Sequence, residues 1–178
     1  PHAAVVSLND ITDRRTAERE LERQRTFLRT VLDAVPNLIA VRDRGHRYVM
    51  VNRTMADFYG TTPRQMIGKP HSAYIEDPRR VESIQRSDLQ ILATGGACGP
   101  YEAELADAAG AQCWLQVSKR VISDRNGEPN LVLVVGTDIT ERRRLQEELQ
   151  RAVEMRETIL ENSIVGIVFL DRQGRAVW

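Results

Sequence analysis

Two charged residues lie where their neighbours are apolar. Asp88 belongs to a stretch with Val81, Ile84, Leu89, Ile91 and Leu92, in which either Leu89 or Asp88 falls on the apolar face, and Lys119 shares the strand face of Leu115 and Val117. Buried charges persist only when paired. Asp88 and Lys119 could therefore pair with each other or hold a polar ligand, although the rarity of buried Asp and Lys favours two solvated surface side chains. His2, His46 and His71 are scattered through loop-like sequence, without the spacing that puts two imidazoles on one helix face. Cys98 and Cys113 belong to no Cys-x-x-Cys pair and lie near no His at ligand spacing. They read as reduced thiols of a cytosolic protein, and no metal site is expected. Gly95-Gly96-Ala97-Cys98-Gly99 is glycine-rich, but no Gly-Lys-Ser/Thr follows to cradle phosphates, so it reads as a helix stop and loop. A hydrolase using His71 with Asp77 or Asp88 would need a nucleophile or a paired acid and base that this sequence does not present. The chain is expected not to be an enzyme.

Composition narrows the remaining classes. Among 178 residues, 25 basic and 25 acidic side chains balance, so there is no strong positive field for a phosphate backbone and nucleic acid is not an expected partner. The longest aliphatic run, Leu131 to Val135, is far shorter than the ~20 apolar residues that cross a bilayer. A cytoplasmic location is expected, in a parent that could still carry membrane segments.

The elements that must position these residues are organised by a repeat. Asp10-Ile11-Thr12-Asp13-Arg14-Arg15 returns as Asp138-Ile139-Thr140-Glu141-Arg142-Arg143, an offset of 128 residues. The same offset pairs Leu21 with Leu149, Leu32 with Leu160, Ile39 with Ile167, Asp43-Arg44 with Asp171-Arg172, and Arg47 with Arg175. A period of this length is a whole domain with its connector rather than a solenoid unit. The chain thus reads as part of a tandem array: residues 1–11 as the last strand of an upstream copy, 12–34 as a linker helix, 35–140 as a complete domain, 141–162 as a second linker helix, and 163–178 as the first strands of a downstream copy.

From Thr12 to Ala34 no Gly or Pro interrupts the chain, and Ala17, Leu21, Gln24, Leu28, Val31 and Val35 recur at alternating spacings of four and three. Leu145, Leu149, Ala152, Met155 and Ile159 repeat the stripe less regularly. Leu21, Leu28, Val31, Leu145 and Leu149 are the expected seam of a homodimer through these coiled-coil helices. Within the domain, Leu38–Arg42 and Tyr48–Val51 flank turn residues and read as a hairpin. Asn52 opens a short helix, Thr62-Pro63 starts another, and Asp77-Pro78 begins a longer one that Gly95 stops. Strands at Tyr101–Ala106, Gln112–Ser123 and Leu131–Ile139 follow. Two strands, several helices and three strands imply an α+β domain with helices over one sheet face.

In this order the residues resemble the PAS family in its form with a C-terminal PAC motif. The resemblance covers Val35 to Thr140 and rests on Asp43 with Gly45, Phe58-Tyr59-Gly60, Thr62-Pro63, Met66-Ile67-Gly68, Tyr101-Glu102-Ala103-Glu104-Leu105, Trp114 with Ser118, Asp124 with Gly127, and Gly136 before Asp138-Ile139-Thr140-Glu141-Arg142-Arg143. It implies a five-stranded antiparallel sheet of order 2-1-5-4-3, often enclosing a small pocket, flanked by long amphipathic linker helices. It also implies a sensor or dimerisation module of a bacterial histidine kinase, diguanylate cyclase or phosphodiesterase, passing a ligand or conformational signal to neighbouring PAS copies and an output domain in the same chain.

On that resemblance, a pocket would be lined by Ile39, Val41, Met50, Phe58, Ile84 and Leu92, with Asp88 and Lys119 as its polar candidates; plain hydrophobic core is the alternative for the apolar set. Signal transfer would fall to Trp114, Asp138, Ile139 and Thr140, where the last strand meets the exit helix. Asp138 is read as a joint that fixes the helix angle, or as an N-cap with Thr140 worth about 1 kcal/mol. Trp114 is read as sealing the sheet against a terminal helix. The cofactor is unknown: residues Pro78 to Thr94 hold no histidine for the haem pattern, and Gly68-Lys69-Pro70-His71 lacks the cysteine of light-sensing flavin domains.

Overall fold

A buried asparagine sets the entry to the fold. The computed structural model describes residues 2–161 and 169–177, in two units divided after Asp138. In the first unit, α1 (His2–Ala34) leads to the strands β1 (Leu38–Arg42) and β2 (Tyr48–Val51), then to α2 (Arg53–Phe58). Asn52 precedes α2 as its N-cap, and its Oδ1 accepts from Met55 N at 3.1 Å and from Ile39 N at 2.9 Å. Its Nδ2 donates to the carbonyls of Leu32 at 3.0 Å and Asn37 at 2.8 Å. One side chain thereby ties the end of α1, the start of β1 and the start of α2 together.

The next elements carry their own start and stop signals. In α3 (Pro63–Met66), Thr62 and Gln65 form a capping box with Pro63 in the first turn. After a 3-10 turn at His71–Ala73, α4 (Pro78–Thr94) starts where Asp77 accepts from Arg79 N at 2.9 Å, and ends at Gly95 in the left-handed region, φ 66°. Then come β3 (Ala97–Ala106), β4 (Gln112–Ser123) and β5 (Pro129–Asp138). The five strands form one antiparallel sheet of order β2-β1-β5-β4-β3, which is the expected order. The core lies between one face of this sheet and α2 to α4: Leu38, Ala40, Tyr48, Val51, Leu115, Val117, Val132 and Val134 meet Met55, Ala56, Met66, Ile91 and Leu92.

Three local expectations are corrected. Residues 2–11 are part of α1 rather than a strand; a strand needs a neighbouring ladder for its backbone groups, whereas a helix satisfies them internally. The glycine-rich segment stops α4 as expected, but β3 already begins at Ala97, with a register shift between Cys98 and Tyr101. A Cβ on Gly99 would lie 2.5 Å from the Val117 carbonyl, so only glycine permits this strand to cross β4 so closely. Finally, Ile139, not Asp138, holds the N-cap position of the following helix.

In the second unit, α5 (Thr140–Glu161) begins with the Ile139 carbonyl accepting from Arg143 N at 2.9 Å. Of residues 162–178, 162–168 and Trp178 lie outside the described residues; β6 (Phe169–Leu170) and β7 (Ala176–Val177) form an antiparallel hairpin. Its turn repeats the main bonds of the turn in the first unit. Asp171 N donates to Arg175 O at 2.8 Å, as Asp43 N does to Arg47 O at 3.0 Å, and each aspartate accepts from the arginine's backbone N–H, at 3.0 Å in the second unit and 2.9 Å in the first. The left-handed residue is Gly174, φ 78°, in one and His46, φ 60°, in the other.

Candidate functional site

The charges of the central domain converge beneath α4. Arg42 from the end of β1, Asp88 from the middle of α4 and Lys119 from β4 are 4 %, 1 % and 2 % exposed. Arg42 Nη2 donates to Asp88 Oδ1 at 3.0 Å and stands 2.7 Å from Oδ2, an ionic approach without the alignment of a hydrogen bond. Lys119 Nζ donates to the same Oδ1 at 2.8 Å and to Ser87 Oγ at 3.2 Å. Asp88 and Lys119 are therefore a buried pair, not the two solvated side chains that burial frequencies favoured. The helical period explains this: Ile84, Asp88, Ile91 and Leu92 share a face, and Leu89, one residue on, is exposed.

Two imidazoles border the cluster. The segment 68–71 runs along β2, with Gly68 N donating to Tyr48 O at 2.8 Å, Tyr48 N to Lys69 O at 3.0 Å and His71 N to His46 O at 3.2 Å. This brings His71 edge-on to His46, with ring centroids 5.8 Å apart. His46 Nδ1 stands 3.8 Å from Asp88 Oδ2, beyond hydrogen-bond distance. His71 is fully buried and neither ring nitrogen has a hydrogen-bond partner. Burial, reinforced by the Arg42 charge, lowers its pKa and favours the neutral ring. Asp77, the other candidate partner of His71, has its carboxylate on the first turn of α4.

Arg42 and Lys119 also line a cavity of about 110 Å³ between the sheet and the helices. Its walls include Leu38, Leu115, Val117, Val134, Met55 and Ile84, with Tyr48, Tyr59, Tyr101 and Arg80 around them. Burial raises the pKa of each of these three tyrosines, so each phenol keeps its proton. Burial likewise lowers that of Lys119, against the opposing pull of Asp88. The Arg80 guanidinium donates to the Glu104 carbonyl.

Of the residues proposed as pocket lining, Ile84 and Lys119 line this cavity, and Asp88 stands behind it through its two cations. Ile39, Val41 and Met50 do not. On β1 the helix-facing residues are Leu38, Ala40 and Arg42, so Ile39 and Val41 lie on the opposite face by the alternation of a strand. Met50 pairs with Val41 and shares its outward face by the same alternation; a bulge at Val49 then lets Arg42 pair with Tyr48, which turns Tyr48 inward in place of Val49. Leu92 lies in the core and Phe58 packs against it, but neither lines the cavity. Trp114 is half-buried on the reverse face of β4, opposite Glu104. Asp138 ends β5 paired with Leu115, and Thr140 opens α5. Leu21, Leu28, Val31, Leu145 and Leu149 are all exposed.

Sequence reasoning missed Arg42 and Tyr48. Arg42 is detectable as the third inward position after Leu38 and Ala40, but only once strand parity is known. Among the described residues, no group of His, Cys, Asp and Glu could hold a metal ion, and no helix is long and apolar enough to cross a membrane.

Comparison with known proteins places this geometry. The family model described as the PAS fold matches residues 32–144. The aerobic respiration control sensor protein ArcB of Escherichia coli (strain K12) is 30 % identical over 159 residues, which is 85 % of this chain and 20 % of that protein. The chain thus spans about a fifth of the length of that curated relative. Among solved structures, the PAS domain of Bordetella pertussis BvgS is 24 % identical, with a TM-score of 0.55 over 75 % of this chain and 98 % of the other. A PAS domain from Colwellia psychrerythraea is 22 % identical, with a TM-score of 0.54 over 68 % and 98 % of the respective chains.

Proposed function

This chain belongs to the PAS family, a family of sensory modules, and from that premise we propose that it senses for a multidomain bacterial signalling protein of the sensor-kinase kind. Occupancy of the cavity beneath α4 alters the sheet, and the change leaves through β5. The observation that carries this reading is the cavity itself: it is walled by Val134 and Gly136 of β5, and the chain runs from that strand through Ile139 directly into α5. The relatives support the signalling role, being named as sensor proteins and a two-component sensor. Any catalytic output belongs to parts of a longer parent, which would act in the cytoplasm. The exposed leucines of α1 and α5 fit a seam between two copies, through which neighbouring PAS domains and the output domain would be driven.

Native mass spectrometry of gently purified protein, joined to a thermal-shift screen of small metabolites, tests the sensing role. A co-purifying species or a stabilising compound is expected. No bound species and no stabilising compound across a wide library would leave a structural dimerisation and transmission module instead. Transmission is tested separately with Asp138→Ala in the full-length protein, which should keep the domain folded while uncoupling stimulus from output. An unchanged response would remove Asp138 as the joint.

A further inference from the structure

We propose that the cavity takes a small monocarboxylate, its carboxylate held by Arg42 and Lys119 and its short apolar tail against Leu115, Val117 and Val134. The proposal rests on the reading of the cavity as a ligand site and adds the chemical class of the ligand.

The argument begins with charge. Arg42 and Lys119 are both at least nine-tenths buried, and the carboxylate of Asp88 is what faces them. Two buried cations share one anion. Among the described residues that line the cavity, Arg42, Arg80 and Lys119 are charged and none is acidic. Arg80 is half-buried and reaches water, which screens its charge, so the uncompensated charge is that of the inner pair. Buried charges without a counter-ion are costly, and a single negative charge on a ligand would restore balance.

Donors point the same way. The Arg42 Nε–H is buried with no acceptor. An ammonium offers three protons, and Lys119 places two of them, on Asp88 and Ser87. A carboxylate supplies two acceptor oxygens, a geometry that guanidinium and ammonium groups bind through short, charge-assisted hydrogen bonds. Its charge would also oppose the burial that draws Lys119 toward its neutral form.

Size and lining exclude larger anions. An engineered cavity of about 150 Å³ accommodates benzene, so about 110 Å³ suits a ligand of about four or five non-hydrogen atoms. Nucleotides and sugar phosphates do not fit. A dicarboxylate or inorganic phosphate would bring more negative charge than the pair lacks, and their polar bodies would meet Leu38, Leu115 and Val117. Acetate and propionate match the volume, the charge and the apolar wall together.

The test is titration of the 178-residue chain with propionate and with propionamide, its uncharged counterpart of the same shape, at fixed ionic strength with chloride as reference anion. Binding is read from amide chemical shifts on β1, β4 and α4 and from the melting temperature. Propionate is expected to bind at least about tenfold more tightly than propionamide, since charged hydrogen bonds are about twice as strong as neutral ones. Lys119→Met keeps the Arg42–Asp88 pair and should abolish that preference. If the variant fails to fold, the two titrations of the natural chain still decide the question. Tighter binding of propionamide, or equal shifts with chloride, would overturn the carboxylate assignment while leaving the cavity a ligand site. No binding of any small molecule, charged or neutral, would remove both.

Discussion

Replacing Asp88 with Asn removes the carboxylate that Arg42 and Lys119 share, while changing the shape of the side chain very little. Both cations stay buried, 4 % and 2 % exposed, with their nitrogens 2.7–3.0 Å from the atoms that Asn would present. Breaking a buried ion pair by removing one partner costs about 3–5 kcal/mol, because an uncompensated charge is left behind. For a domain of this size each kcal/mol moves the melting temperature by about 4–5 °C, so Asp88→Asn should melt about 12–25 °C below the natural chain.

The same variant carries a pH signature. Burial already lowers the Lys119 pKa from 10.5, and the negative charge of Asp88 is what chiefly opposes it. Without Asp88 it falls further, so between the folded value and 10.5 the unfolded chain binds a proton that the folded chain does not. The stability of the variant therefore rises with pH across that window, and its deficit against the natural chain narrows. Thermal and urea unfolding followed by circular dichroism at neutral and alkaline pH measure both effects. A companion triple variant, Asp88→Leu with Arg42→Met and Lys119→Met, should recover most of the stability. An Asp88→Asn protein that melts with the natural chain at neutral pH would show that the two cations are not held by this carboxylate, and the account of the cluster would fail.

Other perturbations reach other parts of the molecule. Asn52→Ala loses a helix cap and leaves the Ile39 N–H and two carbonyls without their partner, a loss of about 2–4 kcal/mol; a urea midpoint within error of the natural one would count against that role. Because the folded His71 pKa lies below 6.5, stability should fall as pH drops from 6.5 toward the folded value, where the unfolded chain gains a proton first. His71→Leu should flatten that part of the urea-midpoint profile, and an unaltered slope would exclude His71 as its source. Leu21→Glu with Leu28→Glu should lower the solution mass seen by light scattering, and an unchanged mass would remove those residues from any dimer seam.

Much of the fold is written locally in this sequence. The repeat locates the turn at Asp43 and its copy at Asp171 because a short Asp side chain bonding the backbone four residues on is a local event. Thr62-Pro63, Asp77-Pro78 and Gly95 mark helix ends for the same reason: caps satisfy neighbouring backbone groups and need no distant partner. The segregation of strands and helices then limits the architecture to few layer arrangements. Residues 2–11 show the limit of this reasoning, since a segment resembling a strand elsewhere in the chain is helical here.

The site was less legible because its parts belong to different elements. Which side of β1 faces the helices depends on strand parity, and a single bulge opposite Arg42 shifts the parity of β2, exchanging Val49 for Tyr48 as a core residue. Local sequence specifies that Leu38–Arg42 is a strand, that residues 78–94 form a helix and that Lys119 lies in phase with Leu115, since these depend on near neighbours. Only the folded sheet, with β1, β4 and α4 brought together although 76 residues of chain lie between Arg42 and Lys119, decides that two cations share one carboxylate beside a cavity. Charge compensation in a buried site is a property of distances in space, and those are set by packing rather than by order along the chain.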